Sequence, residues 1–271
     1  MKRKLTVEPI GGLCNRMRVI ASAIALADQM DLSVHIIWPC NRVLNCTFES
    51  LFEVPDEVHT ITHMKQSPRM TTLFRLLTYC VYVVKGSKSA YIGERFLKQY
   101  GESLMDYHSV CSANEIYIAT CHSFGGPSLN INVLRPVNEI KTISDEITAT
   151  FGSHCVGVHF RGTDHIIAKE ISTLDKFIDA MRREINIYGS ESSFFLATDE
   201  AIIERRLKDL FGDRIITYKK RSLDRNCPLA IQDALVDLIC LSHTKRVLGT
   251  YWSSFSETAA SLGGISLEIV K

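Results

Sequence analysis

Apolar and polar positions first fall into a regular pattern at the amino-terminal end. "KLTVEPI" reads as a strand, "GGLCN" as a tight loop, and "RMRVIASAIALADQM" repeats Met17, Ile20, Ile24, Ala27 and Met30 at helical spacing. "LSVHIIW" follows as a second strand, which makes a β-α-β unit whose crossover implies parallel strands. A second alternation starts after the turn-rich stretches "FGGPSLNIN" and "RPVNE". There the pattern predicts strands at Cys155–Phe160, Ser193–Ala197, Arg214–Tyr218 and Arg246–Gly249. Between and after them it predicts helices at Thr173–Tyr188, Ala201–Phe211, Leu229–Ser242 and Phe255–Leu262. The simplest architecture is α/β with two Rossmann-like halves, residues 1–130 and 131–271.

In open parallel sheets, ligands bind beyond the carboxyl ends of the strands. The predicted strand ends deliver chemistry there. The first strand runs into Gly11, Gly12, Asn15 and Arg16; the strand in "CVGVHFRGTD" carries His159 and ends in Arg161 and Asp164. Thr198 and Asp199 follow the next strand, and "GTYWSSFSETAA" places Ser253 and Ser254 at the start of the last predicted helix. A helix start offers unsatisfied N–H groups, serine hydroxyls add hydrogen-bonding groups, and a guanidinium fork matches the oxygens of a pyrophosphate. Each signal alone has a plainer reading. Gly-Gly is a common turn, Arg161 with Asp164 could be a surface ion pair, and His159 could be a core residue. Their shared edge is what favours an anion site.

The remaining sequence signals narrow the field. The chain has 271 residues, 31 basic and 30 acidic, and a formal net charge of +1, which gives no support for nucleic-acid binding. Neither G-x-G-x-x-G nor G-x-x-x-x-G-K-[ST] occurs, so the nicotinamide and P-loop fingerprints are both missing. Nine cysteines lie without a C-x-x-C pair, and the first residues reach Glu8 and Pro9 before any apolar run develops. Both features predict a reducing, cytoplasmic setting without a secretion signal. "LLTYCVYVV", Leu76–Val84, is about half the length needed to span a bilayer. It reads as a buried element, with peripheral membrane contact as the alternative because Arg69, Arg75, Lys85 and Lys88 flank it. His59 and His63 in "HTITH" have helical metal-ligand spacing, but β-branched neighbours predict a strand and no third ligand is nearby, so no metal site is assigned. Asp233 and Asp237 are accounted for by the dipole of the helix that carries them.

Taken as a set, "GGLCNRMRVIASAIALA", "VGVHFRGTDH", "FFLATDE" and "LGTYWSSFSETAASLGG" resemble the fucosyltransferase superfamily of nodulation and core α-1,6-fucosyltransferases and protein O-fucosyltransferases. The resemblance runs from the first strand to the last predicted helix, with little to recognise between about residues 50 and 130. It implies a GT-B fold, two Rossmann-like halves facing across a cleft with the acceptor on the amino-terminal side. It also implies inverting, metal-independent transfer of fucose from GDP-fucose to a glycan or other hydroxyl acceptor, with no cofactor. Carried over by position, Arg161 grips the donor pyrophosphate beside His159, and Ser253, Ser254 and Phe255 form the phosphate-binding helix start. Asp199 lies near the nucleoside, and Gly12, Asn15 and Arg16 belong to the loop that closes over the donor. Asp164 and Glu170, following the arginine strand, are the candidate bases. The chain is shorter than most GT-B enzymes. Two alternatives remain open at this point, transfer from another GDP-sugar and a non-catalytic nucleotide-sugar binder.

Overall fold

The structure, a computed structural model, describes residues 3–65, 68–100, 110, 112–125, 129–162, 170–224 and 226–271. It divides into two compact units, Met1–Val137 with Asp224–Ile231, and Asn138–Leu223 with Gln232–Lys271. Each is built on one five-stranded, wholly parallel sheet flanked by helices. Residues 224–231 thus return to the first unit although they lie far along the chain.

The first unit orders its strands β3-β2-β1-β5-β4: β1 is Arg3–Pro9, β2 Leu32–Cys40, β3 Val58–Lys65, β4 Ser89–Ile92 and β5 Glu115–Thr120. β1 is central because both of its neighbours bury it, and Leu5 pairs with Val34 on one side and Ile116 on the other. A strand enclosed on both faces should be apolar throughout. Glu8 breaks that rule at 0% exposure and is accommodated by partners: Arg75 donates to Oε1 at 2.8 Å and the Tyr117 hydroxyl to Oε2 at 2.8 Å. The helix over Leu13–Met30 packs on β1 and β2 with its apolar stripe inward. His59 and His63 lie in β3, as the β-branched pattern predicts, and His63 is engaged by Glu49 at 2.9 Å.

The second unit orders its strands β10-β9-β6-β7-β8: β6 is His154–Phe160, β7 Ser192–Thr198, β8 Ile215–Ile216, β9 Arg246–Thr250 and β10 Ser266–Val270. Successive strands β6, β7 and β8 build to one side, and β9 then crosses to the other side of β6. That reversal is a topological switch point, the place where an open sheet leaves room for a ligand between neighbouring loops. The core beneath it gathers Val156, Val158, Phe177, Phe194, Leu196 and Leu248.

Three sequence expectations are corrected. The strand expected at Arg214–Tyr218 is only Ile215–Ile216, because Tyr218 leaves the sheet to donate its hydroxyl to Asp233 at 3.0 Å. Asp233 and Asp237 are both buried, and their environment is built by one loop: Arg221 donates to Asp233 at 2.8 Å and Lys220 approaches Asp237 at 3.0 Å. Side-chain partners rather than the helix dipole therefore account for the pair. Finally, the Leu76–Val84 run is not buried. It lies on the helix Pro68–Val84 with Leu76, Leu77, Val81 and Val84 exposed. Apolar periodicity reports that a face exists, and the polar inward groups decide here which way it turns.

Candidate functional site

The carboxyl edge of the second sheet is assembled by backbone and side-chain hydrogen bonds between its strand ends. The Thr250 hydroxyl, at the end of β9, donates to the His159 carbonyl at 2.9 Å and accepts the Arg161 N–H at 3.0 Å. The chain leaving β6 is thereby tied to the chain leaving β9. At the end of β7, Asp199 accepts the Gly162 N–H at 3.0 Å, so three adjacent strand ends are fixed to one another. Gly162 lets the Glu200 side chain lie close against the backbone: a Cβ there would be 1.8 Å from its carboxylate as placed, so a larger residue would displace that side chain. Together these contacts hold the backbone of Arg161 at the switch point, partly exposed.

His159 sits beneath this edge rather than on it. Its Nδ1 is 2.8 Å from the Ser256 hydroxyl, and its ring stacks on Phe255 with centroids 4.7 Å apart. Burial pushes its pKa down to about 4; Asp199 opposes that shift, and Arg161 and Lys220 reinforce it. The imidazole is neutral near pH 7 and positions the first turn of the helix Ser254–Gly263. Ser256 is a residue that motif reading missed, since its role appears only when β6 and the helix are adjacent.

That helix start has the features of an anion site. Its N-cap, Ser253, has extended backbone angles and makes no side-chain cap bond, so the first N–H groups are not taken up by the cap. The Ser253 hydroxyl is also fully buried and finds no hydrogen-bond partner among the described residues. A buried hydroxyl without a partner costs free energy that a ligand oxygen can restore. Just before it, Trp252 holds φ at 56°, a left-handed conformation unusual for a bulky residue, with its side chain 66% exposed. The Tyr251 N–H is anchored by the Ser172 hydroxyl at 2.9 Å, which fixes the entry into this turn.

The amino-terminal loop is placed differently. Gly11 has φ of 89°, and Gly12 caps the helix Leu13–Met30 without a side-chain bond. Arg16 is fully buried: Nε donates to the Gly11 carbonyl at 2.8 Å, another guanidinium nitrogen donates to the Pro39 carbonyl at 2.5 Å, and the group lies 4.8 Å from the Trp38 ring centroid. Burial lowers its pKa to about 10, still well above neutrality. Its charge therefore frames the loop from within. Asn15 accepts from Arg18 at 2.8 Å. Glu170 is exposed, and Asp164 lies outside the described residues.

One further group was not visible in the sequence. Glu94, Cys121 and His122 come together beyond β4 and β5, with ligand atoms within 4.8 Å of one another. The Cys121 thiol donates to Glu94 at 2.9 Å, and burial with that carboxylate pushes its pKa up to about 11. A protonated thiol hydrogen-bonded to a carboxylate accounts for the contact without an ion.

No family model matches the chain, and no curated protein matches it. Solved structures do. A mutant of Arabidopsis thaliana FUT1 in complex with GDP is 15% identical, with a TM-score of 0.68 over 99% of this chain and 70% of that one. Fucosyltransferase NodZ from Bradyrhizobium is 18% identical, with a TM-score of 0.66 over 97% and 93%. POFUT1 in complex with GDP is 12% identical, with a TM-score of 0.58 over 99% and 98%. The chain thus has the α/β fold of the GT-B fucosyltransferases across nearly its whole length.

Proposed function

We propose that the protein is an inverting glycosyltransferase that moves fucose from GDP-fucose to a hydroxyl of a glycan or other acceptor, without a metal ion. The observation that carries this reading is the shared sheet edge at the β6/β9 switch point, which holds Arg161 and a buried Ser253 hydroxyl with no hydrogen-bond partner among the described residues. Support for the nucleotide comes from structures of like fold solved with GDP or soaked with GDP-fucose.

The proposed chemistry follows from charge. As the bond from the fucose anomeric carbon to the diphosphate oxygen breaks, its electron pair leaves with GDP. The acceptor oxygen forms the new bond from the opposite face and loses its proton. The Arg161 fork and the N–H groups of the helix Ser254–Gly263 stabilise the departing diphosphate, a task that a metal performs in other sugar transferases. Removing one such preorganised donor typically costs about 2.7–4 kcal/mol of barrier. Glu170 and Asp164 are the candidate acceptors of the proton. Ser254 and Phe255 shape the phosphate-binding turn, Asp199 lies toward the nucleoside, and Gly12 and Asn15 belong to the proposed donor loop. An odd number of cysteines with no C-x-x-C pair supports a reducing, cytoplasmic setting as part of the same proposal.

A nucleotide panel followed by turnover tests this reading. GDP and GDP-fucose should raise the melting temperature, whereas UDP, CMP and NAD should not. Release of GDP from GDP-fucose in EDTA and reducing agent should follow. A larger shift with UDP-sugars would overturn the donor, a requirement for Mg²⁺ or Mn²⁺ would overturn the metal-free chemistry, and tight binding without turnover would make the protein a nucleotide-sugar binder.

A further inference from the structure

The helix Pro68–Val84 has its amphipathicity reversed. Its sheet-facing side includes Arg75, whose guanidinium meets Glu8, and Tyr82, whose ring lies against Tyr117 at 5.6 Å. Its outward side carries Leu73, Leu76, Leu77, Val81, Val83 and Val84, exposed by between 49% and 86%. Exposed apolar residues on a monomer are usually scattered, whereas a contiguous set along one helix marks a contact surface. Seventeen residues make a face about 25 Å long, and among the described residues no helix is long and apolar enough to cross a membrane.

Charge identifies what covers this face. From Val58 to Gly93 the chain contains Lys65, Arg69, Arg75, Lys85 and Lys88 and neither aspartate nor glutamate. Of these, Arg75 is ion-paired with Glu8 beneath the helix and Lys85 with Glu115 at 2.5 Å, while Lys65 and Lys88 are exposed. Lys85 and exposed Lys88 follow directly on the carboxyl end of the apolar face. A symmetric contact with a second copy would bring two such cationic segments together, whereas anionic lipid headgroups would neutralise them. An exposed aliphatic helix face edged by cations is also the pattern of a segment lying in the headgroup region. We propose that the helix Pro68–Val84 is a docking surface for an anionic bilayer, lying flat with its leucine and valine face toward the acyl chains. This assignment is independent of the donor reading.

Sedimentation of the full chain with vesicles tests it. The protein should pellet with vesicles of mixed phosphatidylglycerol and phosphatidylcholine, and far less with phosphatidylcholine alone. Leu76→Asp combined with Leu77→Asp should abolish pelleting, and Lys88→Glu should weaken it about fivefold or more. Circular dichroism melting verifies that each variant is folded; Val84→Asp, at the most exposed position of the face, replaces the double variant if that one does not fold. Failure of the folded wild type to pellet with anionic vesicles would overturn the proposal. So would equal pelleting with phosphatidylcholine alone, or a concentration-dependent dimer that Leu76→Asp disperses without any vesicle binding.

Discussion

The two sheets present the same device at corresponding places and furnish it differently. In each, a strand at the topological switch point runs into a loop. A nearby helix then starts at an N-cap with extended backbone and no side-chain bond, Gly12 for Leu13–Met30 and Ser253 for Ser254–Gly263. In each, an arginine lies close by. Arg16 is fully buried and donates to the carbonyls of Gly11 and Pro39, whereas Arg161 stays partly exposed at the sheet edge. The difference teaches that an arginine beside a glycine turn can serve the backbone or a ligand, and that burial decides between them. A guanidinium occupied by carbonyls in the interior holds a loop in shape; one at the sheet edge can bind an anion.

Substituting the two arginines would break the comparison most sharply. Arg161→Ala should lower GDP-fucose turnover roughly a hundred- to a thousandfold while leaving the melting temperature nearly unchanged, because one preorganised, charged donor is lost from a position that is not core. Arg161→Lys keeps the charge and loses the fork, and should fall between that variant and the wild type. A folded Arg161→Ala protein with wild-type turnover would remove the anion site from the switch point. Arg16→Ala should show the reverse balance. It deletes a buried side chain and leaves two carbonyls short of a donor, a loss on the order of 3 kcal/mol visible in chemical denaturation. If Arg16→Ala lost turnover at unchanged stability, the two loops would be alike after all.

A smaller effect separates the groups beneath the second edge. His159 has a pKa near 4 in the folded chain and an ordinary value near 6.5 when unfolded, so between those values the unfolded chain binds more protons. Stability from this group is full above about pH 6.5 and is lost as pH falls toward 4, by an amount on the order of 3 kcal/mol. His159→Gln should therefore flatten the acid side of the stability profile, as followed by denaturation at several pH values. An unchanged acid limb would mean that the imidazole is not held neutral. Smallest of all, Ser253→Ala should leave stability unchanged or slightly raised, since the hydroxyl has no partner to lose among the described residues. It should weaken GDP binding about tenfold by calorimetry. Unaltered affinity would show that the ligand does not use this hydroxyl.

The sequence by itself determined the repeating framework. The strands at Leu5–Val7, Val34–Ile36, Val156–Val158 and Val247–Leu248, and the long helices between them, follow from apolar period and chain punctuation, which are local properties. It also determined which residue types reach the strand ends, because the carboxyl end of a strand is a position along the chain. Strands β4, β5 and β10 were not recovered: β4 has only four residues, and β5 and β10 gain their definition from neighbours that local pattern does not reveal. Tertiary structure alone decided what each charged or apolar group meets. Pairing across the sheet placed Ser256 against His159 and Thr250 against Arg161. The loop after β8 supplied Lys220 and Arg221 to two buried aspartates, and Glu8 drew Arg75 inward so that the leucines and valines of Pro68–Val84 face out. The physical reason is range: periodicity is read from neighbours three or four positions apart, whereas burial and charge pairing depend on residues a hundred or more positions away, as Tyr117 and Glu8 are at a separation of 109.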